Sequence, residues 1–161
     1  MRKILLYSIF LFFFACNTDS EIITGEVVSV ADGDTFTMKT MTGERIKVRL
    51  YGIDAPERGQ DFSNKSRQLL NDLCYGKIVD VHSQGYDQYD RLLGFVYIDG
   101  LNVNEEMVRQ GLAWYYNHFV DDHRLDSLEQ VAREKKLNIW SRKNPTNPYE
   151  YRKKQRKQKE T

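Results

Sequence analysis

Carboxylates and arginines gather near the ends of predicted strands in the first third of the chain. Asp32 and Asp34 flank a glycine in "ADGDT", while Arg49, Asp54 and Glu57 fall within "KVRLYGIDAPERG". Adjacent antiparallel strands can bring Asp34 and Asp54 together, and two such carboxylates raise each other's pKa unless a cation lies between them. A hard divalent ion with oxygen ligands relieves that repulsion, and Ca²⁺ fits better than Zn²⁺.

Each of these residues also has an ordinary structural explanation. Asp and Gly are the residues that a turn needs, so "DGD" alone favours a turn. An EF-hand does not fit, because no third ligand follows at Phe36. Arg49 and Arg91 suit ion pairs at the end of a barrel, and Glu57 suits a loop. Only the set as a whole favours a catalytic or metal site.

The elements that must position these side chains follow two periodicities. Segments rich in β-branched residues predict five strands, over residues 21–30, 35–40, 45–53, 77–83 and 91–98. Apolar residues at helical spacing predict helices over residues 61–76, over about 104–110, and from residue 121 or 122 onward. We therefore expect an α+β fold, a small closed five-stranded β-barrel with three packed helices.

The N-terminus has the pattern of an export signal. Residues 1–15 join a basic start to an apolar run that is short for a transmembrane helix, and Cys16 follows a small residue. This arrangement resembles the lipobox of bacterial lipoproteins, in which that cysteine is acylated. The alternative is a simple secretory signal. We expect residues 17–20 to be a short linker. Cys74 lies among apolar residues at helical spacing, which favours a core position over a nucleophile.

The net charge of +1 conceals an uneven distribution. Residues 17–150 carry 16 basic and 22 acidic side chains, whereas residues 151–161 carry six Lys or Arg and one Glu. We expect residues 142–161 to be a basic, disordered tail. Such a tail is either a solvated end or a contact for nucleic acid or anionic lipid.

The sequence resembles the staphylococcal nuclease (thermonuclease) family. The resemblance covers about residues 22–141 and rests on four motifs in the family's order and approximate spacing: "ADGDTF", "VRLYGIDAPE", "YDQYDRLLGFVYIDGLNVNEEMVRQGLAWYY" and "AREKKLNIWS". It implies an OB-fold barrel of five strands with three helices over residues 21–141. It also implies a Ca²⁺-dependent phosphodiesterase that acts on DNA and RNA.

The family's functional residues can be carried over position by position. The resemblance implies that the calcium ligands are Asp34, Asp54 and the backbone carbonyl of Ala55, with Asp32 shaping the turn behind them. It further implies that the catalytic residues are Arg49, Arg91 and Glu57. Arginine suits a phosphate because its fork matches two oxygens and stays charged, and Glu57 would act as general base or orient the attacking water.

Substrate contacts are expected from aromatic side chains. Tyr89 matches a family tyrosine at the terminal phosphate, although the adjacent family lysine is Gln88 here. The base-stacking platform is expected among Tyr115, Tyr116 and Phe119, since stacking tolerates any base.

The expected function is therefore a Ca²⁺-dependent nuclease of DNA and RNA with little sequence specificity, leaving 3′-phosphate ends. The alternative is a noncatalytic OB-fold lipoprotein that binds nucleic acid or protein. We expect an exported monomer that is held at a membrane by a lipid on Cys16, with no obligate protein partner.

Overall fold

The computed structural model describes residues 21–159. Five long strands and four helices make up most of this part of the chain. The strands are β1 (Ile22–Val30), β2 (Thr35–Thr40), β3 (Arg45–Leu50), β4 (Ile53–Asp54), β5 (Ile78–Tyr86), β6 (Leu92–Ile98), β7 (Leu101–Asn102) and β8 (Trp114–Tyr115). The helices are α1 (Ser63–Cys74), α2 (Val103–Arg109), α3 (His123–Glu134), a short 3₁₀ helix (Asn138–Ser141) and α4 (Pro148–Lys159).

The long strands close into a mixed barrel. The order of strands in the sheet is β3-β2-β1-β5-β6-β7, with the short β7 at its edge, and a parallel pairing between β3 and β6 closes the barrel. This pairing sets Val48 opposite Leu92 and Arg49 opposite Leu93. The short strands β4 and β8 pair separately, with Asp54 opposite Trp114.

Side chains that alternate between buried and partly exposed positions along the strands fill the barrel with apolar groups. In β6 every second residue from Leu92 to Ile98 is buried, as a half-buried strand requires. Met107 of α2 and Leu125 of α3 pack on the same core and are fully buried. A second cluster forms where Trp114 meets Trp140 edge to face at 4.3 Å between ring centroids.

The expected α+β barrel with helices packed on it is confirmed in the described residues. Three predicted strands match closely, whereas the predicted strand 45–53 divides into β3 and β4, and β5 continues to Tyr86, beyond the predicted end at residue 83. The sequence did not reveal β4, β7 and β8, which are two residues long. Helix α1 begins at Ser63, and the preceding Phe62 adopts φ 66° without a side-chain cap.

The C-terminal region corrects the expectation of a disordered tail over residues 142–161. Pro148–Lys159 form helix α4, and Pro148 is buried. Asn147 accepts a hydrogen bond from the backbone N–H of Tyr149 at 2.8 Å, which satisfies one free donor at the start of the helix.

The predicted signal segment 1–15, the linker 17–20 and Cys16 lie outside the described residues. Within residues 21–159, no helix is both long enough and apolar enough to cross a bilayer. Cys74 is fully buried, and burial raises the pKa of its thiol to about 12, so the core reading of this cysteine holds.

Candidate active site

Arg49 on β3 joins two buried carboxylates at one end of the barrel. Its Nη1 donates to Asp34 Oδ1 at 2.6 Å, and its Nη2 donates to Asp54 Oδ1 at 2.9 Å. Asp34 follows the turn before β2, while Asp54 ends β4, so separate strand ends bring the carboxylates together. Asp54 is fully buried and Asp34 nearly so. The structure therefore brings three of the predicted site residues together, with Asp34 and Asp54 on either side of the Arg49 guanidinium.

Two glycines allow this assembly. Gly52 turns the chain between Arg49 and Asp54 at φ 75°, a conformation that favours glycine, and a Cβ there would lie 2.9 Å from Leu125 Cδ1. A Cβ at Gly33 would collide with Ser66 Oγ and lie 2.8 Å from Ala55 Cβ. The glycine of "DGD" is therefore required by close packing against α1 and the loop after β4, beyond its suitability for a turn.

Hydrogen bonds fix the Asp34 carboxylate and the turn before it. Asp34 Oδ2 accepts from the Ala55 N–H at 2.9 Å, and Asp34 Oδ1 also accepts from the Thr35 hydroxyl at 2.9 Å. Asp32 Oδ1 accepts from the Asp34 N–H at 3.1 Å. Asp32 thus accepts a hydrogen bond within the turn, and Ala55 is joined to Asp34 through its own N–H.

The pKa values of Asp32, Asp34 and Asp54 shift in different directions from their ordinary values. Burial by itself would raise the pKa of Asp34, but Arg49, the Ala55 N–H and the Thr35 hydroxyl hold it below its ordinary value. Burial raises the pKa of Asp54, aided by the Asp34 charge, in spite of the neighbouring arginines. Desolvation and the Asp34 charge raise the pKa of Asp32 to about 6. Closely spaced carboxyls with divergent pKa values are common at functional sites.

Arg152 of α4, which the sequence did not single out, links Glu57 to Asp54. Arg152 of α4 donates through Nη1 to Glu57 Oε1 at 2.6 Å and to Asp54 Oδ1 at 3.0 Å. Its Nη2 donates to Asp54 Oδ2 at 2.9 Å. Together these residues form a carboxylate–arginine cluster, which consists of Asp34, Arg49, Asp54, Glu57 and Arg152. Glu57 is the more open of the two acids that Arg152 contacts, at 39% side-chain exposure.

Arg91, the remaining predicted catalytic residue, bonds outside this cluster. Its Nε donates to Asp87 Oδ2 at 2.8 Å, and its guanidinium carbon lies 5.5 Å from the centre of the Tyr89 ring. Among the described residues no direct contact joins Arg91 to the carboxylate–arginine cluster. Arg91 immediately precedes the β6 segment that pairs with Val48 and Arg49, so its backbone adjoins the strand that carries Arg49.

The predicted stacking residues separate into two groups. Tyr115 is 8% exposed, and its hydroxyl donates to the Val120 carbonyl at 2.6 Å while accepting from the Asp122 N–H at 2.8 Å. This corrects the expectation for Tyr115, because a ring packed in the core has no free face for a base.

Tyr116, Phe119 and Tyr89 remain at the surface. Phe119 is 69% exposed and Tyr89 70%, and the Tyr116 and Phe119 rings lie 4.8 Å apart. Burial and the Asp54 charge raise the pKa of the Tyr116 hydroxyl, and the charges of Arg152 and Arg49 oppose that rise. The ring centroids of His118 and Tyr149 of α4 are 5.9 Å apart. His118 and Tyr149 thus extend the aromatic surface of Tyr116 and Phe119, which the sequence alone did not indicate.

The donor set has the chemistry of a site for a hard cation. Asp32, Asp34, Asp54 and Glu57 offer only oxygen atoms, and three of these carboxyl groups, those of Asp34, Asp54 and Glu57, contact the guanidiniums of Arg49 and Arg152. Ca²⁺ takes such oxygen ligands. Within residues 21–159 no group of three or more acidic, Cys or His side chains is arranged for direct metal binding. The donor types fit Ca²⁺, and the guanidiniums occupy the lone pairs that it would use.

Comparison with known proteins identifies the family. The model of the staphylococcal nuclease homologue family matches residues 47–142, which include Arg49, Asp54, Glu57 and Arg91. The chain belongs to the staphylococcal nuclease family. The barrel is accordingly the OB-fold of that family. Arg49 on β3, Asp54 on β4 and Glu57 in the following loop are the cluster members within the matched range.

Relatives of similar length carry nuclease names. An uncharacterized endonuclease of Haemophilus influenzae is 40% identical over 158 residues, covering 96% of this chain and 88% of that protein. An uncharacterized endonuclease of Escherichia coli O157:H7 is 39% identical over 153 residues, covering 94% of this chain and 98% of the relative. A micrococcal nuclease of Shigella flexneri is 37% identical over 139 residues, covering 80% and 79%.

Proposed function

We propose that this staphylococcal nuclease family member is a Ca²⁺-dependent nuclease that hydrolyses the phosphodiester bonds of DNA and RNA with little sequence specificity. We further propose that it leaves 3′-phosphate ends. The observation that carries the proposal is the fork of Arg49 between the buried carboxylates of Asp34 and Asp54, with Glu57 at the same end of the barrel. Family membership and the nuclease names of the relatives support the same reaction class.

The roles of the side chains follow from the charge that hydrolysis develops. Water attacks phosphorus, negative charge grows on the non-bridging oxygens, and the bond to the 5′ oxygen breaks. Calcium held by Asp34, Asp54 and the Ala55 carbonyl would add positive charge at those oxygens. Arg49 would donate to the same phosphate, because its two carboxylate contacts leave further N–H groups of the guanidinium.

Glu57 and Arg91 complete the proposed mechanism. Glu57 is exposed enough to meet water, and its carboxylate would take the proton of the attacking water. Arg91 would break its ion pair with Asp87, or keep it in part, and bind the phosphate from the β6 side, which would aid departure of the 5′ oxygen. Tyr89, Tyr116 and Phe119 at the rim would contact the substrate strand, where aromatic stacking is tolerant of sequence.

Digestion of defined substrates tests the proposal. The full chain, purified in detergent, would be incubated with single-stranded DNA or RNA in CaCl₂ or in EGTA, and the product ends would be analysed. We expect cleavage of both polymers in CaCl₂, none in EGTA, and 3′-phosphate termini. Binding without any calcium-dependent cleavage would instead support the noncatalytic OB-fold alternative.

We also propose that the protein is an exported monomer without an obligate protein partner and is held at a membrane through a lipid on Cys16. The support is the sequence pattern of residues 1–16. Expression of Cys16→Ser should move the protein from the membrane fraction to the soluble fraction, with wild type as the control. An unchanged distribution would refute lipidation at this residue.

A further inference from the structure

Helix α4 places the Arg152 guanidinium against Asp54, the most buried acid of the carboxylate–arginine cluster. Arg152 donates to both oxygens of Asp54, at 3.0 and 2.9 Å, and to Glu57 at 2.6 Å. Asp54 is fully buried, whereas the Arg152 side chain is 32% exposed. The guanidinium therefore closes the cluster from the solvent side.

The chain around α4 is built to hold Arg152 there. Gln60 accepts a hydrogen bond from the Glu57 N–H at 2.8 Å and donates to the Thr146 carbonyl at 2.9 Å. One side chain thus ties the loop of Glu57 to the segment that leads into α4. Pro148 is buried, and a Cβ at Gly59 would lie 3.0 Å from the Tyr151 hydroxyl, so α4 packs directly on this loop.

Arg152 and a divalent cation cannot share Asp54. Oδ1 already accepts from Arg49 at 2.9 Å and from Arg152, and Oδ2 accepts from Arg152. A cation on Oδ2 would also lie a few ångströms from the Arg152 guanidinium. In a site with little solvent, two like charges at that separation repel strongly. Occupation of Asp54 by one excludes the other.

We propose that Arg152 is a positioning residue of the cation site: it holds Asp54 and Glu57 in the cation-free chain and must release Asp54 before a divalent cation binds. Arg152 therefore sets the cation affinity of the chain. In the cation-free state its charge stabilises Asp54, which would otherwise be a buried carboxylate with only Arg49 as its cationic partner. The inference rests on the proposed function in one respect, that Asp34 and Asp54 hold the cation.

Calorimetric titration with CaCl₂, without nucleic acid, tests this role. The full chain would be compared with Arg152→Ala, Arg152→Lys and the control Arg156→Ala, which changes an exposed arginine one turn further along α4. Mutual exclusion predicts that Arg152→Ala binds Ca²⁺ at least ~10-fold more tightly than wild type. Arg152→Lys should fall between the two, because one ammonium cannot bind both Asp54 oxygens as a fork does. Arg156→Ala should match wild type.

A second measurement uses the unaltered chain in case Arg152→Ala unfolds. The ¹⁵N NMR signal of the Arg152 Nε–H, assigned by its loss in Arg152→Lys, should shift when CaCl₂ is added. Equal or weaker binding by Arg152→Ala, no Ca²⁺ binding by any variant, or an unmoved signal in a chain that binds Ca²⁺ would each overturn the inference. The titration contains no substrate. Tighter binding by Arg152→Ala in a chain that fails to cleave DNA would therefore uphold this inference and refute the nuclease.

Discussion

Asn104 of α2 is expected to contribute strongly to stability because it joins the two strands that flank the site. Its Nδ2 donates to the Tyr51 carbonyl at 2.8 Å and to the Gly94 carbonyl at 3.1 Å, while its Oδ1 accepts from the Val96 N–H at 3.0 Å. The residue is fully buried. Tyr51 lies two residues after Arg49, and Gly94 lies three after Arg91, so these bonds connect the chain segments that carry both arginines.

The cost of Asn104→Ala follows from the groups left without a partner. The Gly94 carbonyl keeps a hydrogen bond from the Tyr51 N–H at 2.9 Å. The Tyr51 carbonyl and the Val96 N–H each lose the bond that Asn104 made. An unsatisfied buried polar group costs ~1–3 kcal/mol, so the substitution should lower the free energy of unfolding by about 3 kcal/mol. This is a large fraction of the ~5–15 kcal/mol that a domain has.

Urea denaturation followed by circular dichroism measures this change. Asn104→Asp keeps the volume and an acceptor for Val96 but offers no donor to Tyr51, so it should cost at least as much as Asn104→Ala. Asn117→Ala, in an exposed loop, is the control and should change stability by less than ~0.5 kcal/mol. A loss below ~1 kcal/mol for Asn104→Ala would show that the hydrogen bonds do not carry the energy assigned to them.

Two further predictions concern Arg91 and Glu129. Arg91→Ala should lower kcat at saturating CaCl₂ at least ~10²-fold, whereas Arg109→Ala, which removes an ion-paired arginine of α2, should not; near-normal cleavage by Arg91→Ala would remove Arg91 from the mechanism. Glu129 Oε1 accepts from the Tyr115 N–H at 3.1 Å, and burial raises its pKa above 4.5 despite Arg133. A carboxyl whose pKa is raised by folding contributes stability that is lost as pH rises through the folded pKa. Wild type should thus lose unfolding free energy relative to Glu129→Gln as the pH rises above 4.5 and through the raised pKa of Glu129. A difference independent of pH would contradict the assignment.

Much of the barrel could be predicted because its strands follow simple patterns. Thr35–Thr40 and the strand beginning at Leu92 show β-branched or alternating apolar residues that the core requires. The short pairing of β4 with β8 could not be predicted, since two residues carry no periodicity. Tyr115 was misassigned because a buried aromatic and a stacking aromatic look the same in sequence, and only the bonds of its hydroxyl distinguish them.

Helix α4 and Arg152 were missed for a different physical reason. The run of lysines and arginines from residue 152 has the composition of a solvated tail, whereas Pro148, the buried residue of α4, lies before that run. A usable signal lies in "NPYEYR": Asn147 precedes Pro148, Glu150 falls in the first helical turn, and Tyr149 and Tyr151 interrupt the polar residues. No local pattern could reveal that Arg152 meets Asp54, which lies 98 residues away in sequence.

The most direct test of the site is the rate of DNA cleavage by Glu57→Gln. This variant keeps the shape of a half-exposed side chain and an oxygen that can accept from Arg152, but it removes the carboxylate that would take the proton of the attacking water. Glu44→Gln, in the exposed turn between β2 and β3, makes the same chemical change away from the cluster. At saturating CaCl₂ we predict that kcat falls at least ~10²-fold in Glu57→Gln, with an unchanged circular dichroism spectrum and an unaffected Glu44→Gln control. A Glu57→Gln rate within a few-fold of wild type would contradict the assignment of this end of the barrel as the active site.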